Sequence, residues 1–186
     1  MENGRSRCAW ATSAPEYERY HDEEWGSPLH GDDALFERLC LEAFQSGLSW
    51  ITILRKRPAF RAAFAGFAID AVAAFTEADE ARLMGDASIV RNRAKIAAAV
   101  RNARAAQEQP EGLSALLWSF APSAQRPRPV TLDDVPATSP ESVAMAKELK
   151  RRGFVFVGPT TAYALMQATG MVDDHVVDCF RSGTGG

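Results

Sequence analysis

The chain is expected to fold as an all-α protein. Three observations predict this: apolar residues recur at three- and four-residue intervals over most of the length, proline and small polar residues precede several of those runs, and only the short piece Phe154 to Val157 has strand character. With 186 residues, 46% hydrophobic and 24% charged, the chain can form one domain (1–186) with a real core. No run is long enough to cross a bilayer, and no apolar signal-peptide core follows Met1 to Arg7. A cytoplasmic protein with no membrane partner is therefore expected. The net charge of -3 exerts no global pull on a polyanion, so any contact with nucleic acid must come from local patches. Cys8, Cys40 and Cys179 are too few and too scattered for a disulfide framework.

Ser13-Ala14-Pro15-Glu16 reads as a capping box with proline in the first turn, and predicts a helix from about Ala14 to Glu24. Tyr17, Tyr20, His21 and Glu24 share one face of it before Gly26-Ser27-Pro28 ends it. Asp32 to Ser46 reads as an amphipathic helix with acids at its positive end. On it Leu35, Leu39 and Glu42 stand at i, i+4 and i+7, so a carboxylate occupies a core position. Burying an ionised carboxylate is costly, which means Glu42 is either paired structurally or held for function. Gly47 breaks the helix and leaves Leu48 as an apolar tip, with Trp50 just behind.

Trp50 to Leu54 continues as a buried segment ending in Arg55-Lys56-Arg57, and Pro58 is expected to start a new helix through Phe60 and Phe64. Ile69 to Phe75 makes a short helix. Val90 to Ala106 reads as a long surface helix, with Ile96, Val100 and Ala103 on one side and Arg91, Arg93, Lys95, Arg101 and Arg104 giving it a basic side. Leu113 to Phe120 is another short apolar helix. Five of the ten prolines fall between Ala121 and Pro140, which marks a long loop within the domain. Pro140 to Arg152 should be helical and close on Gly153 as a left-handed cap. A helix from Thr160 to about Thr169 follows, and a final helix carries His175 and Cys179.

Two groupings carry chemistry. Cys8 and His21 near one end, with His175 and Cys179 at i and i+4 near the other, suit a closed tetrahedral zinc site. These are not zinc-finger spacings, so plain burial stays open beside metal. Lys150-Arg151-Arg152-Gly153, then Phe154 to Val157, then Gly158-Pro159-Thr160 describe a helix, a glycine-flanked turn and a new helix. Gly158 there could free the next helix's first amides for a phosphate. An ordinary helical corner with snorkelling cations reads equally well. Trp10, Tyr17, Tyr20, Trp25 and Trp50 are core residues when taken singly, and their clustering around the Glu42 helix raises a pocket as the alternative. Tyr163 and Trp118 are assigned to packing, and His30 and Cys40 receive no role.

Cys8-Ala9-Trp10, Tyr20-His21-Asp22-Glu23-Glu24-Trp25-Gly26, Leu41-Glu42 through Gln45-Ser46-Gly47-Leu48-Ser49-Trp50, Ile89 through Ile96, Arg152 through Gly158 and Asp174-His175-Val176-Val177-Asp178-Cys179 together resemble the bacterial 3-methyladenine DNA glycosylase I family. The resemblance runs from Cys8 to Cys179. It implies a helix-hairpin-helix DNA glycosylase fold and excision of 3-methyladenine by base flipping, by a monomer acting on double-stranded DNA with alkylated bases. It also implies a structural zinc held by Cys8, His21, His175 and Cys179, which would staple residues 1–30 to 170–186, and a hairpin over 146–166.

By matched position, Glu42 would be the catalytic contact to the base, with Trp10, Tyr17, Tyr20 and Trp50 lining the pocket. Gly47 and Leu48 would enter the DNA, and Gly153, Gly158 and Thr160 would meet its backbone. The family lacks the catalytic aspartate typical of its superfamily, for which Asp173 or Asp174 could be mistaken. Ala43, Phe44 and Ser46 depart from the family's glycine, polar residue and alanine, and Phe44 is expected to reshape the wall beside Glu42. Two other readings are a non-catalytic protein that binds alkylated DNA on the same scaffold, and a zinc hydrolase, which four protein ligands disfavour.

Overall fold

The structure is a computed structural model that describes residues 4–182. Among the described residues it is built from nine α-helices, short 3-10 turns and no strand. The central element is α2 (Asp32–Gln45), with nine of its fourteen residues buried, because it is packed against on several sides. It meets α3 (Trp50–Ala63), α4 (Ile69–Ala73), α6 (Arg93–Gln107), α7 (Leu113–Trp118) and α9 (Pro159–Ala168). Leu35, Leu39 and Leu41 are fully buried. Phe44 packs into an aromatic group, tilted against Phe60 and edge to face with Phe64, 4.7 Å and 5.8 Å between ring centres. No helix among the described residues is long and apolar enough to cross a membrane.

α1 (Pro15–Glu23) forms as expected, but Ser13 does not cap it. Its hydroxyl donates to the Trp10 carbonyl at 2.9 Å, because Ala9–Ser13 is itself a 3-10 turn that uses the serine first. α3 runs straight through Pro58, where a break and a new start were expected. Proline removes one amide donor and strains one turn. Ile53 and Phe60 nevertheless enter the same core, and Arg57 and Arg61 both hold Glu37, so packing on either side keeps the helix whole.

An additional helix, α5 (Glu77–Gly85), lies outside the sequence expectations. Thr76 and Asp79 form its capping box, and Leu83 is its one buried anchor. α6 starts at Arg93, with the Asn92 side chain accepting from the Lys95 amide at 3.1 Å. It is no surface helix: nine of its fifteen residues are buried, Lys95 included.

The last expected helix, through His175 and Cys179, is absent. The backbone there is extended and then turned, with the Val177 amide donating to the Pro129 carbonyl at 3.0 Å. Before it, two packed helices are joined by a turn. α8 (Pro140–Arg151) closes on Gly153 at φ 92 and packs against α9. Asn102 on α6 clasps the turn, donating to the Val155 carbonyl at 3.0 Å and accepting from the Val155 amide at 2.8 Å. Gly158 has an ordinary extended backbone. The left-handed residue inside the turn is Phe156, which is 46% exposed at φ 59.

Candidate functional site

A cavity of about 480 Å³ opens where α1, α2, the start of α3, α9 and the long loop converge. Tyr17 and Tyr20 reach it from one face of α1, Trp10 from the preceding turn, Glu42 from α2 and Trp50 from the first position of α3. Trp10 meets Tyr17 edge to face at 5.6 Å, and Tyr20 meets Trp50 at 5.5 Å. The Tyr17 hydroxyl accepts from the Ile51 amide at 2.9 Å. It thereby caps a helix whose own N-cap residue, Ser49, makes no capping bond. The Trp50 indole N–H is buried without an acceptor among the described residues.

Glu42 is 5% exposed, and no hydrogen bond reaches its carboxylate among the described residues. Burial pushes its carboxyl up to about 7, opposed by the positive charge of Arg38 one turn earlier. Such a group stands on the edge between neutral and charged at physiological pH, which makes it a candidate functional residue. Beneath it, Arg38 donates to the Tyr20 hydroxyl at 3.0 Å and to Glu24 at 3.0 Å. Burial raises the Tyr20 phenol well above its ordinary range, so it remains protonated.

Gly47 follows the end of α2 at φ 80, and Leu48 stands 39% exposed beyond it. The expected basic side of α6 hides the residue that shapes this tip. Lys95 donates from its buried ammonium to the Phe44 carbonyl at 2.9 Å and the Ser46 carbonyl at 2.6 Å. A cation on the last carbonyls satisfies acceptors that the helix leaves open and complements its dipole. The pattern at Ile96, Val100 and Ala103 gave no sign that the lysine beside it turns inward.

Asp174 also lines the cavity, but it accepts from Tyr163 at 2.7 Å, from Gln167 at 2.7 Å and from Arg126. Asp173 accepts from Arg128 at 2.8 Å. Neither offers a free carboxylate. Phe44 lies in the core with Phe60 and Phe64, away from the cavity, and Ala43 and Ser46 do not line it either. The expected change to the wall beside Glu42 is therefore not found. Leu132, Val135 and Gln167 are also among the lining residues, and no local pattern singles them out. Gly153, Gly158 and Thr160 belong to the hairpin and lie outside the cavity lining, the last two on the surface.

Behind the aromatic wall, the side chains of Cys8, His21, His175 and Cys179 converge, all buried, with their ligand atoms within 4.8 Å of one another. Cys179 Sγ lies 3.3 Å from His21 Nε2 and 3.5 Å from His175 Nδ1, and Cys8 Sγ lies 3.7 Å from His175 Nδ1. Each imidazole has an acceptor for its outward nitrogen, Asp22 at 2.8 Å for His21 and the Trp25 carbonyl at 3.3 Å for His175. That arrangement leaves the inward nitrogens as lone pairs. Four-coordinate zinc with bonds of about 2.3 Å to sulfur and 2.0–2.1 Å to nitrogen puts sulfur and nitrogen about 3.5 Å apart, close to these three sulfur–nitrogen spacings. Gly26 is needed here, since a side chain would meet His175 Nε2 at 2.7 Å. His175 and Cys179 reach the cluster through a turn, without the helix that their spacing suggested.

Residues 10–182 match the sequence model of the methyladenine glycosylase family. The chain is 46% identical over 177 residues to DNA-3-methyladenine glycosylase 1 of Escherichia coli K12, covering 93% of this chain and 95% of that one. A crystal structure of 3-methyladenine DNA glycosylase I superposes with a TM-score of 0.90 at 44% identity, covering 94% of this chain and 98% of that one. A variant of 3-methyladenine DNA glycosylase I in complex with 3-methyladenine superposes with a TM-score of 0.90 at 34% identity, covering 97% and 99%.

Proposed function

Since the chain belongs to the methyladenine glycosylase family, we propose that it excises 3-methyladenine from alkylated DNA, with Glu42 as the group that meets the damaged base. The reaction is hydrolysis of an N-glycosyl bond. Methylation at N3 leaves a positive charge on the adenine ring and weakens its bond to the sugar, so the leaving group needs little protonation. Water adds to the sugar carbon, the bond to the base breaks, its electron pair neutralises the ring, and a proton passes to solvent. What remains for the protein is to select the base and hold it.

The observation that carries the reading is an unpaired, buried carboxylate facing a cavity walled by Trp10, Tyr17, Tyr20 and Trp50. A cation that enters such a site is strongly attracted because little water screens the charge. Aromatic faces suit a base taken out of its stack, and Leu48 beside Gly47 suits the space that it leaves. Gly153, Gly158 and Thr160, at the hairpin and the start of α9, would meet the DNA backbone through main-chain amides. Double-stranded DNA as partner, action as a monomer and a cytoplasmic workplace belong to the same proposal.

The metal is proposed to be zinc, held by Cys8, His21, His175 and Cys179. Once bound, it would tie the α1 segment to the chain's last described turn. With four protein ligands it leaves no coordination position for substrate, which is the argument against a zinc hydrolase. The deciding experiment incubates the protein with methylated duplex DNA and measures released 3-methyladenine, 3-methylguanine and 7-methylguanine separately. Release of 3-methyladenine is expected. Retention of the DNA without any free base would favour a binding protein instead.

A further inference from the structure

Arg38 is an arginine with almost no exposure, on the inner side of α2, and it does not line the cavity. It belongs to a layer of charges beneath the aromatic wall. Arg38 and Arg57 hold Glu24 at 3.0 Å and 2.7 Å, and Arg57 and Arg61 hold Glu37 at 2.8 Å and 2.9 Å. Three cations face two carboxylates in that layer. The nearest further carboxylate on the same helix is Glu42, four residues after Arg38, where i and i+4 side chains share a face.

The second observation concerns Tyr20. Its hydroxyl oxygen accepts from Arg38, and the guanidinium also stands over its ring at 5.3 Å. A phenol has one proton, and with its oxygen engaged from behind that proton must point elsewhere. No acceptor for it exists among the described residues, and Tyr20 lines the cavity.

We propose that Arg38 is a positioning residue for base excision: it turns the Tyr20 hydroxyl into a donor toward the cavity and keeps the Glu42 carboxylate charged to receive the cationic base. The inference rests on the reading of the site as a glycosylase pocket. The groups facing Glu42 are Arg38 on its own helix, Tyr17 and Tyr20 from α1, and Asp174 from the C-terminal segment, whose charge is already held by Arg126. Arg38, one helical turn before Glu42, is the one cation among them. Its charge opposes the effect of burial on the Glu42 carboxyl.

The test is single-turnover release of 3-methyladenine from methylated duplex DNA across roughly pH 5 to 9. In Arg38→Gln the acid limb of the rate should move up by about one pH unit, a loss of about tenfold near pH 6 that is recovered at the alkaline end. Arg38→Lys should return the limb toward its wild-type position. Glu24→Gln, which leaves Arg38 in place with less compensation, should move the limb the opposite way. If Arg38→Gln does not fold, Glu24→Gln decides alone. A limb that stays in place in the folded variants overturns the proposal for Arg38 while leaving the glycosylase reading intact. A wild type that releases no base at any pH removes that reading, and this inference with it.

Discussion

The two buried polar clusters of this protein lie back to back and are built on opposite terms. In the cysteine–histidine cluster, each imidazole has an acceptor for its outward nitrogen and all four ligand atoms face one another. In the pocket, among the described residues, Glu42 has no hydrogen-bond partner and the Trp50 indole has no acceptor. Trp10 and Trp25 stand between the two, lining the cavity on one side and contacting His21 and His175 on the other. The first cluster has its hydrogen bonds arranged in a way that leaves room for an ion. The second carries a cost in the free protein that a charged ligand would relieve, a pattern expected where function competes with stability.

Removing a metal ligand should break this contrast most severely. Cys179→Ser is expected to lose bound zinc and several kcal/mol of stability together, since structural zinc contributes directly to folding. Metal content and thermal unfolding measure both. A metal-free wild type with undiminished stability would sink the zinc assignment.

Glu42→Ala should do the reverse, lowering excision by about 100-fold or more with metal content unchanged. Wild-type excision rates in this variant would defeat the assignment of Glu42. The same residue makes a signed prediction for pH. Burial raises its carboxyl from the ordinary 4.5 to about 7 in the folded state, so folding favours the protonated form. Stability is highest where Glu42 is protonated and declines as pH rises from the unfolded value through the folded one. Glu42→Gln should therefore match the wild type at low pH and exceed it above neutrality by on the order of 2 kcal/mol in denaturant titrations.

The smallest effect is expected at Lys95, which belongs to neither cluster. Lys95→Met should unfix the Gly47–Leu48 tip by leaving the Phe44 and Ser46 carbonyls without their donor, costing about 1–2 kcal/mol and roughly tenfold in excision. Affinity for free 3-methyladenine should stay unchanged, because the pocket walls do not move. A matching loss of free-base affinity would place Lys95 in the pocket and not at the tip.

Much of the site was legible in advance because its signals are local. Glu42 announces itself by interrupting a leucine stripe, Gly47 by ending a helix, and Gly153 by capping one. Tyr17 and Tyr20 share a face of α1 by spacing alone. Arg38 and Lys95 were not legible, since one reads as a charge within an amphipathic helix and the other as part of a basic surface. Their partners lie far along the chain, 18 residues for Arg38 with Tyr20 and 51 for Lys95 with Phe44. Periodicity says which face of a helix turns inward, but not what it will meet.

By itself, the amino-acid sequence determined the all-helical class, most helix positions and the anomaly at Glu42, because each follows from spacing within a few turns, whereas the set Cys8, His21, His175 and Cys179 was implied by the family resemblance. Only the tertiary structure decided that α3 continues through Pro58, that Lys95 is buried under the end of α2, and that His175 and Cys179 converge without a helix between them. In each case contacts from distant segments outweigh the local preference. A broken turn at Pro58 is offset by core packing on both sides, a buried cation by two carbonyl oxygens, and an extended tail by its pairing with the loop at Pro129.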